Sequence, residues 1–212
     1  MIEGDHATHL GVQVPPTQYV SASYCSPERF AAYSYQIKET LNSGARTVLE
    51  VGVGNGLVAY LLHRAGVQVV TVDHDPALEP DHVASVLELP FECNAFETVM
   101  CFQVLEHLPW DLFPKAVGEV ARVAGEHVII SVPHISRLFA ISLDWPRVGK
   151  RNFVLELDRN DPMSFDGEHY WEIGRGVTTQ QVCRVFEETG LRVERSYRVP
   201  EFRYHHMFVL SK

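Results

Sequence analysis

The chain has 212 residues, of which 46% are hydrophobic and 21% charged, values that suit one soluble domain, residues 1–212, with a full core. Its formal net charge is −9, which disfavours a nucleic-acid partner, since the largest basic cluster, Arg147, Lys150 and Arg151, is small. No apolar run approaches the ~18 residues of a membrane-spanning helix, and the opening MIEGDHATHLGVQV lacks the basic start and apolar stretch of a secretion signal.

The four cysteines, Cys25, Cys93, Cys101 and Cys183, form no C-x-x-C pair. Neither a disulfide framework nor a zinc site is expected, and reduced thiols point to the cytoplasm. The 11 histidines are scattered without an H-E-x-x-H helix, so no metal site is expected.

Residues 1–25 are polar and aperiodic and read as a loosely ordered arm. Ser26-Pro27-Glu28 starts a helix: a capping serine, proline in the first turn and an early acid. Phe30, Tyr33, Ile37 and Leu41 give that helix one apolar face, and Asn42-Ser43-Gly44 ends it. Strands then alternate with helices. Strands are expected at 47–51, 67–73, 82–86, 98–102 and 127–132, and helices at 55–64 and 109–124. Near-continuous apolar strands separated by helices imply a parallel sheet covered on both faces. The right-handed crossover rule makes the α/β fold doubly wound and Rossmann-like.

Residues 134–176 break the alternation with Phe139, Trp145, Phe153, Phe165, Tyr170 and Trp171. The stretch is too long for an ordinary connection, and is expected to fold over the site as a substrate lid. Thr178 or Thr179 caps a helix running to about Thr189, and strands at 192–199 and 204–210 form a closing antiparallel hairpin.

The most informative stretch is Val48-Leu49-Glu50-Val51-Gly52-Val53-Gly54-Asn55-Gly56-Leu57. Glycines at every second position follow a strand and precede a helix, so the chain can turn sharply and a ligand can approach its backbone. In an open parallel sheet, ligands bind beyond the carboxyl ends of the strands. Asp73 ends the second strand, where a carboxylate can accept hydrogen bonds from both hydroxyls of a ribose. A dinucleotide loop has the spacing G-x-G-x-x-G. This chain has G-x-G-x-G, with Leu57 in place of the third dinucleotide glycine. Glu50 opposes a pyrophosphate and favours an amino-bearing or cationic ligand, such as S-adenosylmethionine (SAM).

VLEVGVGNG, TVDHDP and LELPFECNAFETVMCFQVLEHL, in this order, resemble the class I SAM-dependent methyltransferases over roughly residues 45–133. FDGEHYWEIG and the closing hairpin are also similar to segments of small methyltransferases in that superfamily. The resemblance implies a seven-stranded sheet, mostly parallel, whose C-terminal strand is antiparallel. It implies that Gly52, Gly54 and Gly56 lie against the methionine part of SAM, with Glu50 helping to hold its amino end. It places Asp73 on the ribose, His74 beside the adenine, and Ser85 and Val86 flanking it. Phe102 and Gln103 would lie near the methionine moiety. Two positions depart from the family: Ser85 stands where an aspartate often contacts the adenine amino group, and Glu97 replaces an aspartate after Phe96.

Methyl transfer needs alignment, exclusion of water and, for oxygen or nitrogen acceptors, a general base. His107, His134 and His169 are the candidate bases; Tyr170 and Glu172 could orient an acceptor. A structural role is the favoured reading at each of these positions, as it is for Glu106, His205 and His206. The expected function is methyl transfer from SAM to a small-molecule or biosynthetic acceptor, releasing S-adenosylhomocysteine (SAH). A SAM-binding partner protein without catalysis and a nicotinamide-dependent oxidoreductase are the alternatives.

Overall fold

The computed structural model describes residues 14–145, 149–159 and 161–212. Strands β1 (Thr47–Val51), β2 (Gln68–Asp73), β3 (His82–Val83), β4 (Phe96–Phe102) and β5 (Ala124–Pro133) pair in parallel. Near the C-terminus, β10 (Arg192–Arg198) and β11 (His205–Ser211) form an antiparallel pair, and β11 also runs antiparallel to β5. The order across the seven-stranded sheet is β10-β11-β5-β4-β1-β2-β3. The sheet is therefore parallel except for its last strand, as the resemblance implied. The third strand is shorter than the apolar pattern suggested.

Helices α1 (Pro27–Asn42) and α2 (Leu57–Arg64) cover one face, with Val48, Val69 and Met100 pointing into that layer. Helices α3 (Phe113–Val123) and α4 (Thr179–Glu188) cover the other, over Leu49, Val99, Ile130 and Phe208. Neighbouring strand residues thus enter opposite layers, which is why these strands are apolar throughout. The expected starts of α1 and α4 are present. Ser26 Oγ accepts from Arg29 N at 3.3 Å, and Thr178 forms a reciprocal capping box with Gln181.

The face that α1 buries differs from its apolar stripe. Phe30 and Leu41 are 49% and 44% exposed, while Ala32, Tyr33, Gln36, Glu39 and Thr40 are buried. The polar members find partners across the fold. Thr40 Oγ1 donates to the Gln36 carbonyl at 2.8 Å. Arg195 and Tyr197 on β10 both donate to Glu39, Tyr197 Oη at 2.6 Å and Arg195 Nη1 at 3.0 Å. Burial alone would raise the Glu39 pKa, but these donors bring it below its ordinary value.

Two expectations for the flanking segments change. Within the supposed loose arm, Pro16–Val20 forms a 3-10 turn and Tyr19 packs edge-on against Tyr24, 5.2 Å between centroids; residues 1–13 lie outside the described residues. In 134–176, β6 (Ser136–Trp145) and β7 (Gly149–Asp158) form an antiparallel hairpin, followed by the short β8 (Glu172–Ile173) and β9 (Gly176–Val177). Phe139, Ile141, Leu143, Leu155 and Leu157 of the hairpin are exposed, whereas Trp171 is buried against Trp110 and Phe113. Of the basic cluster, Arg147 lies outside the described residues.

The Glu39 contacts tie α1 to the outer strand β10. Substituting Glu39→Ala leaves a guanidinium and a phenol without their acceptor and should lower stability by about 2–3 kcal/mol. Urea unfolding would show this as a lower midpoint at unchanged slope; an unchanged midpoint would remove the tie from any role in stability.

Candidate functional site

A cavity of about 350 Å³ opens at the carboxyl ends of the parallel strands. Its lining includes Glu50, Gly52, Gly54, Asp73, His74, Ser85, Val86, Phe102, Gln103 and His107. Gly56 does not line it; this residue turns the chain into α2 as its N-cap, at φ +70°. His134 and His169 are also absent from the lining, as is every described residue of 134–176. Among the described residues, the expected lid contributes none to the lining of this cavity.

The glycine loop is held close to its neighbours. Gly52 has φ +89°, and a Cβ placed there would fall 2.3 Å from Val104 Cγ2. Any side chain at this position is strained twice, by the backbone and by the contact. A Cβ on Gly54 would meet the Tyr19 ring at 3.6 Å, so Tyr19 lies over the loop and closes one wall. Asp73 is 8% exposed and accepts from Val53 N at 2.9 Å and Asp75 N at 3.0 Å, with His74 Nδ1 at 3.3 Å. Burial pulls its pKa upward, but these donors outweigh it and hold the carboxylate ionised. An ionised carboxylate has about four acceptor sites, so beside the two backbone amides about two remain, one of them faced by His74.

Glu50 stands on the other side of the loop, buried, with Oε2 lacking any hydrogen-bond partner. Burial pushes its pKa up to about 8. A cation or amine reaching this atom would relieve an unsatisfied buried acceptor.

The candidate bases fall in different places. His107 lines the cavity, and its Nδ1 lies 3.0 Å from the Glu168 carbonyl. Burial, with His169 beside it, lowers its pKa to about 4. His169 sits 5.0 Å from the His107 ring and pairs with Glu172 at 3.1 Å. Burial works against its charged form, yet Glu172, Glu106 and Glu168 raise its pKa overall. Glu172 also accepts from Tyr204 Oη at 2.7 Å. Ligand atoms of Glu106, His107 and His169 lie within 4.8 Å of one another, close enough to share a divalent ion. Glu106 is fully buried, with neither carboxyl oxygen bonded, and burial raises its pKa to about 8.

His134 belongs to a different network. Its ring stacks on His206 at 5.1 Å, its Nδ1 is 2.8 Å from His206 Nδ1, and its Nε2 is 2.8 Å from Asp158. Ser196 Oγ lies 2.8 Å from His206 Nε2. This chain of groups ties β10, β11 and the end of β5 to the β6–β7 hairpin, a bracing role.

Besides Tyr19, further contributors escaped sequence reasoning. Tyr24, Arg29 and His205 all line the cavity. Arg29 and His205 are far apart in sequence and carry no motif. A hint lay in the adjacent His205-His206 on a strand, since one of two neighbours must face the opposite way from the other.

Residues 49–130 match the family model described as a methyltransferase domain. Two strains of Mycobacterium tuberculosis carry a "Probable S-adenosylmethionine-dependent methyltransferase" that is 35% identical over 114 residues, 48% of this chain and 40% of the relative. The chain thus matches well under half the length of these curated relatives. Among solved structures, the 1,6-didemethyltoxoflavin-N1-methyltransferase of Burkholderia thailandensis, with its acceptor and SAH bound, has a TM-score of 0.61 at 16% identity, over 92% of this chain and 84% of that one. The [4+2]-cyclase SpnF has a TM-score of 0.59 at 14% identity, over 87% and 81%. These two likenesses carry the fold alone.

Glu50 and the loop give a pH signature. A carboxyl whose folded pKa is raised to about 8 adds stability that is complete below its unfolded value near 4.5 and is lost as pH rises through 8. Thermal melting of the free protein should therefore come earlier at pH 8.5 than at pH 6.5, and Glu50→Gln should narrow that difference. An equal difference in both proteins would show that Glu50 does not titrate in this range. The matched blocks, the sheet order and the placement of glycine loop and Asp73 agree: residues 49–130 match a methyltransferase domain, and the chain resembles the class I SAM-dependent methyltransferases.

Proposed function

We propose that this chain binds SAM and transfers its methyl group to a small-molecule acceptor, with SAH as the other product. The observation that carries this reading is the arrangement of two acids around the glycine loop. Asp73 is held ionised by backbone amides, and Glu50 keeps a buried oxygen without a partner. A ligand that suits both carries a diol at one end and an ammonium at the other, as SAM does. An ammonium there favours the ionised form of Glu50 and gains an ion pair, whereas the pyrophosphate of a nicotinamide dinucleotide would hold the acid protonated. The methyltransferase-domain match over residues 49–130 supports the same choice.

The cavity residues fit that cofactor by their chemistry. Asp73 would hold the ribose hydroxyls and Glu50 the amino group. Ser85 and Val86 would border the adenine, and Gly52 and Gly54 would let the ligand approach the backbone. Bound SAM supplies a methyl group already activated on a sulfonium. The chain's own part is then to orient the acceptor and keep water out. Tyr19 and Val14 help close the wall above the loop. His107, neutral near pH 7 and facing the cavity, is the candidate base among the three histidines singled out from the sequence.

A small acceptor fits the limited cavity volume. No helix among the described residues is long and apolar enough to cross a membrane. The free cysteines Cys25, Cys93, Cys101 and Cys183 suit a reducing compartment, and we place the protein in the cytoplasm on that ground.

Calorimetry with SAM, SAH, NAD and NADP tests the reading. SAM and SAH should bind and the dinucleotides should not; the reverse result overturns the assignment. Substituting Asp73→Ala should weaken SAH binding by about 30- to 1000-fold, the loss of two hydrogen bonds to a charged acceptor, ~2–4 kcal/mol. An unchanged dissociation constant would free Asp73 from the ribose. Gly52→Val should abolish binding, since the branched side chain has no room beside Val104.

A further inference from the structure

The end of the cavity away from Asp73 holds a second group of residues that the cofactor reading leaves without a role. His205 begins β11 and stands in register with Pro133 at the end of β5. In the sheet order, two strands, β5 and β4, separate β11 from β1 and its glycine loop. The His205 side chain lines the cavity, is 1% exposed, and has no hydrogen-bond partner at either ring nitrogen. A neutral imidazole offers one donor and one acceptor, and buried polar atoms of this kind are usually satisfied. The Phe202 ring lies against it at 4.7 Å and 32°, which fixes its plane.

Arg29 completes the group. It lies in the cavity wall one turn before Tyr33 on α1, half-buried, with its guanidinium 3.8 Å from the Tyr24 ring centre and 5.7 Å from that of Phe202. Among the described residues no carboxylate pairs with it. The acids of the cavity, Glu50 and Asp73, stand at the β1–β2 end. The cavity is therefore acidic where a cofactor's amine and diol would bind and basic where an acceptor would enter. Burial, with the Arg29 charge beside it, lowers the His205 pKa to about 3. The imidazole is thus neutral and can accept a hydrogen bond from a nucleophilic O–H. Tyr24 and Tyr33 line the cavity with aromatic faces suited to a flat ring, and Phe202 backs the His205 ring.

We infer that Arg29 and His205 form the acceptor subsite, and that the acceptor is a small aromatic hydroxy acid whose carboxylate pairs with Arg29 and whose hydroxyl hydrogen-bonds to a ring nitrogen of His205. This rests on the proposed methyltransferase reading. Arg29 would set the affinity through a charge-assisted, bidentate pair. His205 would fix the direction of the hydroxyl by accepting its hydrogen bond at a ring nitrogen.

The test uses the whole chain saturated with SAH and titrated calorimetrically with 2-, 3- and 4-hydroxybenzoate, each against its uncharged hydroxybenzamide. Binding of SAH is measured first, so its absence defeats the methyltransferase reading itself and is seen separately. At least one hydroxybenzoate should bind, and its amide should bind tenfold or more weakly. Arg29→Gln should remove that preference while leaving SAH affinity unchanged. His205→Gln should weaken the hydroxybenzoate severalfold, again without loss of SAH. Should a His205 variant not fold, the ring nitrogens of His205 in the unsubstituted 15N-labelled protein should shift on adding the acid and not on adding benzoate, which lacks the hydroxyl. Equal binding of acid and amide, no binding by any of the three acids, unmoved ring nitrogens, or a loss of SAH affinity in Arg29→Gln would each overturn the inference. The last result would assign Arg29 to the carboxylate of the cofactor.

Discussion

The hydrogen bond from Val53 N–H to Asp73 Oδ2 joins the two strands whose carboxyl ends make the cavity. It fixes the loop after β1 against the tip of β2. It also keeps Asp73 ionised by satisfying one oxygen with a backbone donor. The loop can make this approach only because Gly52 sits at φ +89° with Val104 pressed where a Cβ would be. Backbone conformation, strand register and carboxylate charge are therefore one constraint. Register matters to it: β1 and β2 pair Val51 with Val72, which brings Gly52 level with Asp73.

The cavity collects polar groups that a stable core would avoid. Glu50 lacks a partner at one oxygen and His205 at both nitrogens. Beside the cavity, Glu106 lacks one at both oxygens. Each such group opposes folding in the free protein. Groups of this kind are where the demands of stability and of function pull apart. The contrast with Glu39 shows the difference. That carboxylate is equally buried but fully met by Arg195 and Tyr197, so its pKa goes down where those of Glu50 and Glu106 go up.

Much of the fold was legible because its signals are local. Ser26-Pro27 and Thr178 announce helix starts through their own hydrogen bonds. Continuous apolar strands announce a sheet with two covered faces. The cavity side of β1 and β2 was legible for the same reason: the glycines and Asp73 lie beside strands that can be recognised. The rotation of α1 was not, because Glu39 is buried by Arg195 and Tyr197, partners that the helix sequence does not contain. The segment 14–25 was read as loose because Tyr19 and Tyr24 show no periodicity; they are ordered by the glycine loop and by Arg29. His134 looked like a base because it follows β5 at the ligand edge. Its ring nitrogens are instead committed to His206 and Asp158, and nothing in the sequence states that pairing.

These placements explain why resemblance informs on one half of the cavity more than on the other. The family match spans residues 49–130, which includes Glu50, Gly52, Gly54, Asp73, Ser85, Phe102 and Gln103. Tyr19, Tyr24 and Arg29 precede that span, and Phe202 and His205 follow it. In a doubly wound fold the first strands and their loops form a shared cofactor platform, while the remaining walls come from whatever the termini bring back to the carboxyl edge. Here α1 and the β10–β11 turn meet at that edge, with Arg29 lying over Phe202. None of the described side chains of the hairpin β6–β7 lines the cavity, although the hairpin is longer. What decides the wall is which segments cross the end of β5 and β11, and the short turn before His205 does so.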